Sequence, residues 1–150
     1  MNPDIHPEAA VAPGYLANHA ARVFNREVDA RLRAHGLSLA SIGPLLLLNW
    51  KGPMLQRDMV RASAVKQPAM VALLDKLESL HLIERETLAS DKRAASVRLT
   101  DAGRDAAAIG RTVLLDVNAA GVAGFSDAEA ATLVALLTRL VANLESAAPK

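Results

Sequence analysis

The residues of this chain with most chemistry to offer are basic and amide side chains, and they gather between positions 51 and 104. That stretch holds ten Lys/Arg against seven Asp/Glu, a net +3, whereas residues 105–150 hold three against five and residues 1–50 four against four. Lys92 and Arg93 stand together beside Asp91 in a polar turn. A basic hairpin tip can enter a minor groove, whose narrow A·T-rich form attracts positive charge. A free Asp91 would repel phosphate, so its expected role is to hold an arginine side chain in one orientation. Gln67 can hydrogen-bond a base, Lys66 beside it suits a phosphate, and Ala69, Val71 and Ala72 offer apolar contact to thymine methyl groups. Lys76 shares that side of the segment, while Arg57, Arg61, Lys51, and Arg98 or Arg104 are candidate phosphate contacts. No arginine lies on the reading segment itself, so affinity should lean on phosphate contacts and on the basic turn.

Other chemistries find no such gathering. The chain has no cysteine, which excludes disulfides, thiolate redox sensing and cysteine metal sites and is compatible with a reducing cytoplasm. His6, His19, His35 and His81 are scattered, and none belongs to an H-E-x-x-H spacing. No dedicated metal site and no cofactor are expected. G-x-S-x-G, P-loop and dinucleotide fingerprints are missing too, so the expectation is not an enzyme. The N-terminus, MNPDIHPEAA, lacks the basic start and apolar run of a signal peptide. The longest purely apolar runs fall well short of the ~20 residues that span a bilayer. The expected location is the cytoplasm, with no membrane partner.

The elements that must position these side chains are mostly helical. The apolar share of 51% is dominated by Ala, Leu and Val, and Ala and Leu are strong helix formers. Residues 1–13, with Pro3, Pro7 and Pro13, read as a flexible, mostly extended arm. Leu16, Ala20, Val23, Phe24, Val28 and Leu32 then recur at helical spacing, and Gly36 ends that helix. Ser38 or Ser41 can cap the next one, in which Pro44 is tolerable only within the first turn. Its LLLLNW run, Leu45 to Trp50, is too continuous for a surface helix and reads as buried. A short helix near 55–62 turns through Ser63-Ala64-Val65 into a second, started by Pro68, with Met70, Leu73, Leu74 and Leu77 as its core face. Ile83–Thr87 and Ser96–Thr100 fit two strands bridged by the polar turn, and a third strand before residue 55 can only be very short. Helical stripes continue from Thr100 to a break near Gly121–Gly124, and Ser126 with Glu129 has capping-box spacing ahead of Leu133, Leu136, Leu137, Leu140, Val141 and Leu144.

The fold expected is therefore mainly α with a small β-wing, a winged helix-turn-helix flanked by N- and C-terminal dimerisation helices. Its divisions are a 1–13 arm, a 14–37 dimerisation helix, a 38–100 DNA-binding unit and 101–150 C-terminal dimerisation helices. The apolar faces near 14–32 and 128–145 make a homodimer the expected state, with Leu16, Val23, Leu133, Leu137, Leu140 and Leu144 in its interface.

Over nearly its whole length the chain resembles the MarR/SlyA family of winged-helix transcriptional regulators. Val65-Lys66-Gln67-Pro68-Ala69-Met70-Val71 is similar to the start of that family's recognition helix. Leu74-Asp75-Lys76-Leu77-Glu78, followed by Leu82-Ile83-Glu84-Arg85, is similar to its helix-to-strand passage. Asp91-Lys92-Arg93-Ala94 with Val97-Arg98-Leu99-Thr100-Asp101-Ala102-Gly103-Arg104 carries the most specific likeness, to the wing and the start of the long helix. The resemblance implies a homodimer on a near-palindromic operator in double-stranded DNA, a repressor role, and release by a small aromatic or acidic ligand. It also implies a ligand crevice whose wall includes Tyr15, His19, Arg22, Leu46 and Trp50, with Arg22 available to a carboxylate.

Three positions depart from the family pattern. Leu88-Ala89 stand where the wing usually opens with Asp-Pro, His81 replaces a turn glycine, and Ala72 replaces a frequently polar or basic reader. The second reading is a winged-helix dimer that acts through a protein partner, as antirepressor or scaffold, without specific DNA binding.

Overall fold

A computed structural model describes residues 4–87 and 94–149. They divide after Val117 into two compact units. In the first, α1 (Pro7–Ala10) and α2 (Pro13–Arg33) precede α3 (Leu39–Lys51), β1 (Met54–Leu55), α4 (Gln56–Ala62), α5 (Gln67–Ser79), β2 (Ile83–Glu86) and β3 (Ser96–Leu99). Helix α6 (Asp101–Gly121) crosses the division, and α7 (Asp127–Ala147) belongs to the second unit. The three strands form an antiparallel sheet ordered β1-β3-β2. A mainly helical chain with a small wing sheet is the architecture expected.

The core of the first unit collects buried apolar side chains from α2 to α6 and from the sheet. Val28 and Leu32 of α2, Ile42, Leu45 and Leu48 of α3, Met59 of α4 and Met70, Leu74 and Leu77 of α5 are buried with Ile83, Val97, Val113 and Val117. Helix starts are held by side chains: Ser38 and Ser41 cap α3 reciprocally, and Asp29 Oδ1 accepts from Leu39 N at 2.7 Å, tying α2 to α3. Ser126 and Glu129 form the same kind of box at α7, as their spacing predicts.

The passage from α5 into the sheet is tight. His81 N donates to Glu78 O and Leu82 N to Leu77 O, the paired bonds of a Schellman stop. That motif places His81 at φ 58, a left-handed conformation that suits glycine better. Thr100 Oγ1 donates to His81 O at 2.7 Å and accepts from Gly103 N at 3.0 Å, starting α6. A Cβ at Gly103 would lie 1.9 Å from the Leu82 carbonyl oxygen. Only glycine fits there.

Three expectations need correction. The arm 1–13 is partly helical, because Pro7 starts α1 and His6 Nδ1 accepts from Glu8 N. Pro44 lies beyond the first turn of α3, inside the helix and buried. Gly43 before it has no Cβ to meet the proline ring, which eases the usual conflict. Trp50 is not core: it is 76% exposed, with Lys51 Nζ 4.0 Å over its ring. At 100° per residue it points away from the side of α3 that buries Leu45 and Leu48.

Gly103→Ala is expected to cost about 3 kcal/mol or more, because backbone rather than a flexible side chain occupies the space. His81→Gly should stabilise by about 1 kcal/mol by relieving the left-handed strain. Urea unfolding of the two variants against the parent chain checks both signs.

Candidate nucleic-acid interface

Helices α4 and α5 are in contact. Met59 of the first and Met70, Leu74 and Leu77 of the second lie in the buried core, and the turn between the helices is braced by Val65 N donating to Ser63 Oγ at 3.3 Å. With the core side of α5 so fixed, Gln67, Pro68, Ala69, Ala72 and Lys76 are exposed, while Val71 is half-buried. No side chain caps the start of α5, where Lys66 is the N-cap. The N–H groups of that first turn are left to meet an anion, and the helix dipole favours one there. Arg57 and Arg61 lie four apart and exposed on α4.

The candidate cations differ in how far they are already engaged. Arg98 Nε and Nη2 donate to Glu84 Oε2 at 2.9 and 2.6 Å, across the directly opposed Glu84–Arg98 pair of β2 and β3. Arg104 pairs with Asp101, and Arg61 is 3.6 Å from Asp58. Exposed pairs such as these are worth at most about 1 kcal/mol and yield to a stronger anion. Among the described residues Arg57, Lys66 and Lys76 have no ion pair. Asp91, Lys92 and Arg93, the expected wing-orienting residue and wing tip, lie outside the described residues.

Arg85 is the residue that sequence reading overlooks. It stands on β2 with its side chain 18% exposed and reaches two carboxylates of α5. Its Nε and Nη2 donate to the two oxygens of Glu78 at 3.3 and 2.9 Å, and Nη2 donates to Asp75 Oδ1 at 2.6 Å. These groups line a groove of about 550 Å³ between α5 and the sheet, together with Gln67 and Val71. The hydrogen bond from Arg85 holds the Glu78 carboxyl below its ordinary value of 4.5, against a weaker opposing effect of desolvation. Glu78, in turn, raises Arg85. The only hint in the sequence is two acids three residues apart on a helix, since the strand arginine meets them through tertiary packing.

The residues expected at a ligand wall fall into two stripes. Tyr15, His19 and Arg22 share a face of α2, the first two stacked with ring centroids 6.0 Å apart. Leu46, half-buried, and Trp50, exposed, lie four apart on α3. Among the described residues no three His, Asp or Glu side chains gather as a metal site would require.

Of the residues expected in a dimer interface, Leu16 is exposed and Val23 half-buried on α2. On α7, Leu133, Leu137 and Leu144 are exposed and Leu140 half-buried, and Val134, Leu136 and Val141 add further exposed apolar surface. By length and composition α7 is apolar enough to cross a membrane, though Arg139 stands in its middle and Asp127, Glu129 and Glu145 near its ends.

The lowered Glu78 value sets a pH dependence. Its contribution to stability is complete above the ordinary carboxylate value of 4.5 and is lost as pH falls through the lower folded value. The difference in unfolding free energy between the parent and Glu78→Gln should therefore shrink on acidification from neutrality, from a starting size of about 1 kcal/mol or less for a half-exposed pair. Urea titrations at a series of pH values measure it.

No protein-family model matches the chain. Solved structures do. The transcriptional regulator PA3341 is 32% identical, with 89% of this chain and 98% of that one covered and a TM-score of 0.69. A MarR-family transcriptional regulator from Silicibacter pomeroyi is 25% identical over 90% of this chain and 91% of its own, with a TM-score of 0.71. A MarR variant from E. coli, solved with operator DNA, is 21% identical over 91% of this chain and 99% of its own and superimposes with a TM-score of 0.76, a likeness of fold. With its helix-turn-helix, its three-stranded wing sheet, a transcriptional regulator 32% identical across nearly its full length and a MarR-family regulator 25% identical over nine-tenths of both chains, the chain belongs to the MarR family of winged-helix transcriptional regulators.

Proposed function

We propose that this regulator binds double-stranded DNA as a cytoplasmic homodimer on a near-palindromic operator and acts as a repressor that a small aromatic or acidic ligand releases. The observation that carries the reading is the set of unpaired cations, Arg57, Lys66 and Lys76 among the described residues, around the exposed side of α5 and its uncapped N-terminus. Phosphate contacts from these side chains orient the helix, and Gln67 at its first turn reads a base edge. Lys92 and Arg93 are the proposed wing contacts, with Asp91 proposed to orient an arginine side chain. Ala69 and Ala72 offer methyl contact only, so binding leans on charge, and Val71 contributes less because it is half-buried.

The dimer reading is supported by the apolar side chains that α7 leaves to water, Leu137, Val141 and Leu144 among them. A contiguous apolar surface of this kind marks an interface. Tyr15, His19 and Arg22 on α2, with Leu46 and Trp50 on α3, are the proposed effector contacts, Arg22 meeting a carboxylate.

The deciding experiment is selection of genomic fragments by the purified protein, followed by titration of the winning fragment at several salt concentrations. The expected product is a short inverted repeat whose affinity falls steeply with salt, and Arg57→Ala or Lys66→Ala should each lower the slope of log affinity against log salt by about 1. No association at low salt would overturn DNA binding and bring the protein-partner reading forward. Sedimentation should give a dimer at micromolar concentration, and a folded monomer there would remove the dimer. An aromatic acid that weakens operator binding should lose that effect in Arg22→Ala.

A further inference from the structure

We propose that Arg85 is a positioning residue for DNA reading: it shields Asp75 and Glu78, two carboxylates on the recognition helix itself, and fastens that helix to the wing sheet. The inference rests on the DNA-binding reading above. Gln67, Val71, Asp75 and Glu78 succeed one another at helical spacing along one flank of α5 and line its groove with the sheet. A helix seated in the major groove carries a phosphate strand along each flank. Two bare carboxylates on such a flank would repel it.

Arg85 is placed to prevent this. On β2 it follows Ile83 by two residues, so both side chains leave the strand on the side that meets α5. Ile83 fills the core, and Arg85, mostly buried beyond it, spends its planar fork on both oxygens of Glu78 and one of Asp75. A guanidinium that buried needs such partners. With Arg85 engaged, the three groups carry one net negative charge instead of two, and α5 is held to β2 at the end of the sheet nearest Thr87. An arginine so engaged has little left to offer phosphate. Its part in binding is exerted through α5.

The test uses the fragment selected by the parent protein and compares Arg85→Gln, Asp75→Asn/Glu78→Gln, and all three changes together, with anisotropy at low and high salt. Arg85→Gln should weaken binding about tenfold at low salt, from carboxylates left uncompensated near phosphate. The deficit should narrow at high salt, which screens that repulsion. Combining all three changes should return affinity to within about threefold of the parent, since the repelling charges go with the shield. A merely structural arginine would not be rescued by removing its partners. The proposal is overturned if Arg85→Gln binds like the parent, or if the triple variant stays as weak as the single one. In the latter case a loss of about 1 in the salt slope identifies Arg85 as a phosphate contact itself. Should Arg85→Gln not fold, Arg85→Met carries the test. It keeps an apolar stem but no charge, so a drop reversed by Asp75→Asn/Glu78→Gln supports the shield and no drop overturns it. A parent protein that binds no fragment defeats the DNA-binding reading, whereas a binding parent with indifferent variants defeats this inference alone.

Discussion

The Leu82 carbonyl is the point on which the first unit turns. It accepts from Thr100 N at 3.1 Å, and the start of α6 passes so close that position 103 has no room for a Cβ. Around it lie the end of α5, the first residue of β2, the last of β3 and the first turn of α6. Thr100 Oγ1 bridges two of these segments by donating to His81 and accepting from Gly103. Packing this dense has few ways to relax. The angle at which α5 leaves for the sheet is therefore set by backbone contacts, and the side chains on its exposed side inherit that angle.

Charge in this protein is arranged more by pairing than by composition. Residues 51–104 carry a net +3, yet Arg85, Arg98, Arg104 and Arg61 each face a carboxylate. Those pairs differ in kind. Arg85 is mostly buried and bridges helix to strand, so it constrains geometry. The others are exposed and loosely held. Within residues 51–104 the described cations without an ion pair are Lys51 at the end of α3, Arg57 on α4, Lys66 at the N-cap of α5 and Lys76 on α5, so three of these four lie on or beside α4 and α5.

Features governed by local rules were legible in the sequence. Pro68 at the start of α5, the Ser126–Glu129 box, the leucine stripe of α5 and the alternation around Val97 all follow from backbone preferences and side-chain period, and the elements stand where those rules put them. What could not be read depends on distant segments. Nothing near Arg85 announces that Asp75 and Glu78 will reach it, and the Glu84–Arg98 pair exists only because the strand register sets the two opposite each other. Pro44 shows a local rule yielding to burial, and Trp50 shows a continuous apolar run that still turns one face outward. The departure at His81 was visible as a residue type, but its left-handed backbone emerged only with the fold. The wing tip, Asp91 to Arg93, lies outside the described residues, and its role continues to rest on residue type.

The apolar side chains that α7 presents to water have a thermal consequence. Covering Leu137, Val141 and Leu144 would withdraw hydrocarbon from water, a process driven near room temperature mostly by entropy and accompanied by a negative heat-capacity change. Such a driving force weakens on cooling. Any association made through α7 therefore loosens in the cold, while the ion pairs around α5 follow a different temperature law. The two ends of the chain answer a change of temperature differently.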